Sequence, residues 1–66
     1  MDLVQLKRFL VAAEAGNLRR AATLLHVSQP ALTQSIKSLE TILGVELFER
    51  SARGVTLTPS GRALVP

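Results

Sequence analysis

The stretch Leu18-Arg19-Arg20-Ala21-Ala22-Thr23-Leu24-Leu25-His26-Val27-Ser28-Gln29-Pro30-Ala31-Leu32-Thr33-Gln34-Ser35-Ile36-Lys37-Ser38-Leu39-Glu40-Thr41-Ile42-Leu43 decides the fold. It reads as a short helix, a tight turn and a longer helix. Asn17 caps the first of these, about Leu18 to Leu25, whose buried side is Leu18, Ala21, Ala22 and Leu25. The two alanines are small enough for another helix to cross closely. His26-Val27 is the turn, and Ser28 is a strong cap for the longer helix, with Pro30 in its first turn where the lost N–H costs nothing. Leu32, Ile36, Leu39 and Leu43 recur at i, i+4, i+7 and i+11, which is one face. Pro30, Gln34, Lys37 and Thr41 point the opposite way, with Thr33 and Ser38 beside them. Gly44 ends the helix.

Working outward, Asp2 caps an N-terminal helix, with Gln5 placed to complete a capping box. Leu3, Leu6, Leu10 and Ala13 follow helical spacing with Phe9 beside them, and Gly16 stops the helix. Beyond Gly44 the period changes. Leu47 to Arg50 and Val55 to Thr58 read as two short strands joined by Ser51-Ala52-Arg53-Gly54, with Arg53 at the tip. Thr58-Pro59 opens a further helix. The eight residues left span only about 12 Å, so this element reads as the start of a longer one.

Sixty-six residues make one small domain, and a chain of that size buries only about 60% of its unfolded surface. An apolar fraction of 47% and a charged fraction of 20% are globular. There is no cysteine, so neither a disulfide nor a thiolate metal site is available. The net charge of +3 and pI of about 10.7 favour an anionic partner, nucleic acid or an acidic membrane surface. The apolar run Phe9 to Ala13 is too short for a signal peptide, and no run approaches a membrane span. The chain reads as cytoplasmic.

Catalysis is not expected. One histidine, no cysteine, no tyrosine and a single aspartate at the N-terminus leave His26 and Ser28 without a third group to orient the imidazole. The acids and the histidine are too scattered for a metal, and the four glycines match no phosphate-binding fingerprint.

The longer helix of the pair is the candidate site. Gln29, Thr33 and Gln34 carry groups able to read base edges, and together with Pro30 they lie in the half that enters the major groove in helix-turn-helix proteins. A merely solvated helix usually carries Glu and Lys on its polar face. From Gln29 to Ser38 there is no acid, and five residues are Gln, Ser or Thr. Arg19 and Arg20 start the helix that crosses the backbone in this motif. Lys37, Arg50, Arg53 and Arg62 are placed to flank the reading helix as phosphate contacts, with Arg53 alternatively entering a minor groove. Lys7 and Arg8 read as surface residues without a role. Three rivals compete: a protein-interaction module, an enzyme fragment and a basic membrane-surface helix. The charges are spread over several elements, which argues against the last.

The strings Ala21-Ala22, Leu25-His26-Val27-Ser28-Gln29-Pro30-Ala31-Leu32, Ile36, Leu39-Glu40 and Leu43-Gly44 closely resemble the DNA-binding domain of LysR-type transcriptional regulators. So do Leu47-Phe48-Glu49-Arg50, Arg53-Gly54, Leu57-Thr58-Pro59 and Gly61, which match that family's wing and the start of its linker helix. The resemblance covers nearly the whole chain. It implies a mainly α fold: a winged helix-turn-helix with a three-helix core, a short two-stranded wing and the start of a linker helix. Residues 1–58 would form the DNA-binding domain, with the helix-turn-helix at about 18–43 and the wing at about 47–58. Residues 59–66 would begin the truncated linker and dimerisation helix.

Carried over by position, Gln29, Pro30, Ala31, Thr33 and Gln34 would face the major groove of a double-stranded operator. Ser28, Lys37, Arg50 and Thr58 would mainly meet the backbone, and Arg53 would sit on the wing. The resemblance further implies a bacterial regulator that pairs through the linker helix, is usually tetrameric at full length and binds an inverted repeat. It would take a small-molecule inducer in a C-terminal part absent from this chain, which itself would hold no cofactor, and contact with RNA polymerase is in keeping with such a role. With the linker cut short, this chain is expected to be a monomer or at most a weak dimer. Family members often carry Arg where this chain has Gln34, Ser-Phe where it has Asn17-Leu18, and a small polar residue where it has Arg19. Arg19 is read as restoring the charge lost at Gln34.

Overall fold

Asp2 opens α1 (Leu3–Ala15) with a complete capping box in the computed structural model, which describes residues 2–66. The Gln5 amide donates to the Asp2 carboxylate at 2.8 Å, and the Asp2 amide donates to the Gln5 side chain at 3.3 Å. Gly16, at φ 68°, closes the helix in the left-handed region. Met1, the first residue of the expected 1–58 module, lies outside the described residues.

The same logic builds the next two helices, α2 (Leu18–Leu25) and α3 (Gln29–Leu43). The Asn17 side chain accepts from the Arg20 amide at 3.0 Å, and the Ser28 hydroxyl accepts from the Ala31 amide at 3.2 Å. Each cap satisfies one of the orphan N–H groups of a helix start. His26 ends α2 at φ 57°, a left-handed conformation that histidine tolerates better than most side chains. Its amide donates back to the Ala22 and Thr23 carbonyls.

The core forms two adjoining clusters. Ala12, Leu18, Ala21, Ala22, Leu32, Ile36 and Val55 make the first, with both Ala21 and Ala22 buried. Phe9, Leu39 and Leu47 make the second, walled by Leu6, Leu10, Phe48, Leu57, Leu64 and Val65. The Phe9 and Phe48 rings meet with centroids 5.3 Å apart. The spacing misjudges the ends of two apolar stripes. Leu3 is 83% exposed and Leu43 38% exposed, because no described element covers the first turn of α1 or the last turn of α3. Ala12, not Ala13, is the buried alanine of α1.

Strands β1 (Phe48–Ser51) and β2 (Gly54–Leu57) pair antiparallel, Phe48 opposite Leu57 and Ser51 opposite Gly54. The turn is therefore Ala52-Arg53 alone, shorter than the four-residue connection expected. Gly54 belongs to the strand, at φ 123°. It is needed for a close approach: a Cβ there would lie 2.4 Å from the Gly16 carbonyl oxygen. The neighbouring Val55 amide donates to that same oxygen at 3.2 Å, so the wing is pinned to the turn between α1 and α2.

Two polar residues fix the wing's base. The Glu40 carboxylate accepts from the Leu47 amide at 2.7 Å and from the Phe48 amide at 3.4 Å, tying the start of β1 to α3. Thr58 caps α4 (Pro59–Leu64) by accepting from the Gly61 amide at 3.0 Å, while its hydroxyl donates to the Glu46 carbonyl at 2.6 Å. Three helices, a two-stranded wing and a short fourth helix on the same core make a mainly α winged helix.

Candidate nucleic-acid interface

The exposed face of α3 is built by default. Leu32, Ile36 and Leu39 bury one side, so helical geometry turns Pro30, Gln34, Lys37 and Thr41 outward, and all four are exposed. Gln29 and Ala31 are exposed beside them, and Thr33 is partly exposed. None of Gln29, Thr33, Gln34 or Lys37 uses its side chain in a hydrogen bond within the described residues. Their donors and acceptors are free. Ser28 keeps its hydroxyl proton, since it only accepts within its cap.

Ser35 is the exception on this polar surface. The Arg8 guanidinium donates to its hydroxyl at 2.5 Å, tying α1 to α3 on the inner flank. Arg8 therefore has a structural role that the sequence reading denied it. The acid-free run that survives on the open side is Gln29, Pro30, Ala31, Thr33, Gln34, Lys37 and Ser38.

The arginines divide. Arg19 and Arg50 line one niche together with Asn17, Gln29 and Ser51, so the start of α2, the start of α3 and the wing meet there. Arg20 lies elsewhere, lining a groove between α1 and α2 with Lys7, Glu14, Leu24 and His26. No residue of α3 or the wing lines that groove, so Arg20 does not share Arg19's surface. Arg53 is exposed in the wing turn, and Arg62 is exposed on α4.

Thr58 departs from its expected role. It is 8% exposed, and both functions of its hydroxyl serve the fold. A side chain so engaged has nothing to offer a phosphate, so Thr58 acts as a helix cap and leaves the candidate surface. Lys37 and Arg50 line a second groove whose rim carries Glu40, Glu46 and Glu49. Glu40 is a clip to the start of β1, and its place four residues after Ile36, on the border of the apolar stripe, is the sequence signal for it. Among the described residues, no helix is long and apolar enough to cross a membrane.

Known proteins agree with this geometry. Residues 3–62 match the family model described as bacterial regulatory helix-turn-helix protein, lysR family. The HTH-type transcriptional regulator TfdS of Cupriavidus pinatubonensis (strain JMP 134 / LMG 1197) is 57% identical over 65 residues, covering 98% of this chain and 22% of that protein. This chain thus spans about a fifth of the relative's length. The chain in the CbnR_DBD-DNA complex superposes with a TM-score of 0.95 at 52% identity, over 98% of this chain and 75% of that one. The BenM_DBD/catB site 1 DNA complex gives a TM-score of 0.93 at 38% identity, over 97% and 71%. Fold, motif and relatives converge, and the chain belongs to the lysR family of bacterial regulatory helix-turn-helix proteins.

Proposed function

We propose that this chain is the sequence-reading module of a bacterial transcription regulator and binds double-stranded DNA with α3 in the major groove. The observation that carries the reading is the free, acid-free face of α3. Gln29, Pro30, Ala31, Thr33 and Gln34 lie along its N-terminal half, and none of their side chains makes a hydrogen bond within the described residues. Gln29 and Gln34 have the donor and acceptor pair that suits adenine, and the Thr33 methyl suits thymine. Ser28, Lys37, Arg19 and Arg50 surround that face as backbone contacts, and Arg53 extends from the wing toward flanking backbone or minor groove. That two relatives of the same fold are solved as DNA complexes supports double-stranded DNA as the partner.

Residues 1–58 are proposed as the binding module and residues 59–66 as the start of a linker that pairs subunits. The parent protein would then be a dimer or tetramer in the bacterial cytoplasm, reading an inverted repeat. It would answer to a small-molecule inducer held outside this chain and act on RNA polymerase. Two half-sites a helical turn apart, or a multiple of it, would supply the discrimination that one module lacks.

Charge-neutral substitutions test the base reading. Gln29→Ala and Thr33→Ala are each expected to cost about 1–3 kcal/mol on a duplex selected by the wild-type chain, and little on a scrambled duplex of the same length. Fluorescence anisotropy titrations on the two duplexes read the difference. Equal losses on both would remove base reading from the proposal.

A further inference from the structure

We propose that Arg19 and Arg50 close on one and the same DNA phosphate, held in the niche between α2, α3 and the wing. The inference rests on the DNA-binding reading and adds a specific backbone site to it. Arg19 is the second residue of α2, Gln29 the first of α3, and Arg50 the third of β1. Folding brings all three to one niche with Ser51 and Asn17.

Three features make this niche a phosphate site. No acid lines it. Arg50 also borders the neighbouring groove, but Glu40, Glu46 and Glu49 lie there and would repel an anion. The acid-free side is where a phosphate gains from Arg50 without that penalty. Second, the donors are unused. The Ser51 hydroxyl only accepts, from the Arg53 amide at 3.3 Å, so its proton is free for an anion. A phosphate offers several acceptor oxygens, enough for two guanidinium groups and a neutral donor together.

Third, the backbone spacing of the two arginines is fixed before DNA arrives. The Asn17 cap sets the start of α2, and the Asn17 backbone adjoins Gly16. Gly16 in turn accepts from Val55 and abuts Gly54, which pairs with Ser51 beside Arg50. Only side chains need ordering on binding, which lowers the entropic cost.

Counterion release reads the number of phosphates neutralised. Each contributes about 0.9 to the slope of log K against log salt. Arg19→Ala, Arg50→Ala and the double variant are titrated with a short mixed-sequence duplex over a salt series, using the whole 66-residue chain. Both positions of charge change are exposed, and circular dichroism confirms that the helices persist. Lys7→Ala, in the α1–α2 groove, serves as the control and is expected to leave the slope unchanged.

A shared phosphate predicts that either arginine alone keeps most of it neutralised. Each single variant then flattens the slope by less than about half a unit and the double variant by about 0.9. The double loss of affinity exceeds the product of the single losses. Two independent phosphates predict about 0.9 for each single variant and about 1.8 for the double, and that result overturns the proposal. So does an Arg19→Ala variant that matches wild type while the double variant matches Arg50→Ala. A wild-type chain that binds the duplex without any salt dependence, or not at all, overturns the DNA-binding reading itself, and is told apart from the others by that baseline.

Discussion

Phe9→Ala is expected to remove about a third or more of the domain's stability. Phe9 is fully buried, and with Leu39 and Leu47 it forms the cluster that α1, α3, β1 and α4 share. Its ring also packs on Phe48 at 5.3 Å. Truncating a buried phenylalanine costs about 3–5 kcal/mol, the transfer loss plus the cavity left behind. A 66-residue domain holds only roughly 3–10 kcal/mol in all, at about 0.05–0.15 kcal/mol per residue. Against that range the loss runs from about a third of the stability to all of it. Thermal unfolding followed at 222 nm checks it. For a domain of this size each kcal/mol shifts Tm by about 4–8 °C, so a fall of at least ~12 °C is expected. A fall under about 5 °C would mean that the second cluster does not hold the domain together.

Gly61→Ala is expected to strip α4 from the domain. A Cβ at this position would sit 2.2 Å from the Leu47 carbonyl oxygen and 2.9 Å from Leu57 Cδ2. The leucine tip can give way, but the carbonyl cannot move freely. Leu47 is held on one side by its amide's bond to Glu40 and on the other by the bond its oxygen receives from the Thr58 amide at 3.0 Å. Relief must come from α4, whose Leu64 and Val65 then leave the second cluster. Overpacking of this kind costs about 1–3 kcal/mol. Amide hydrogen exchange gives a local readout, because the Arg62 amide is protected by the Thr58 carbonyl at 2.9 Å. Faster exchange at Arg62, with α1 to α3 still protected, is the expected outcome. Unchanged protection at Arg62 would show that the helix accommodates the methyl group in place.

Residues that act locally were legible in the sequence. Asp2 with Gln5, Asn17, Ser28 and Thr58 cap their helices as read, since a cap needs only an oxygen and an amide two or three residues on. The buried faces of α2 and α3 follow from period alone. What escaped depends on distant partners. Arg8 reads as a free surface cation until α3 places Ser35 beside it. Glu40 reads as a late acid on a polar face until the chain turns and offers it two amides. Gly54 looks like a turn residue, yet it is glycine because the Gly16 carbonyl lies where a side chain would go.

The candidate surface divides the same way. Helical period places Gln29, Pro30, Gln34 and Lys37 outward without any knowledge of tertiary structure. It cannot separate Arg19 from Arg20, which are adjacent in sequence but face different grooves. Nor can it show that the Thr58 hydroxyl is turned inward, because its acceptor, the Glu46 carbonyl, lies twelve residues away.

Selection of bound duplexes from a random pool at about 0.1 M salt tests the central claim most directly. The wild-type chain is predicted to enrich one motif, recovered also as its inverted pair, with A·T steps where Gln29 and Thr33 reach base edges. A pool that stays random, with binding that disappears as salt is added, would contradict the claim and leave a basic domain that holds phosphates without reading sequence.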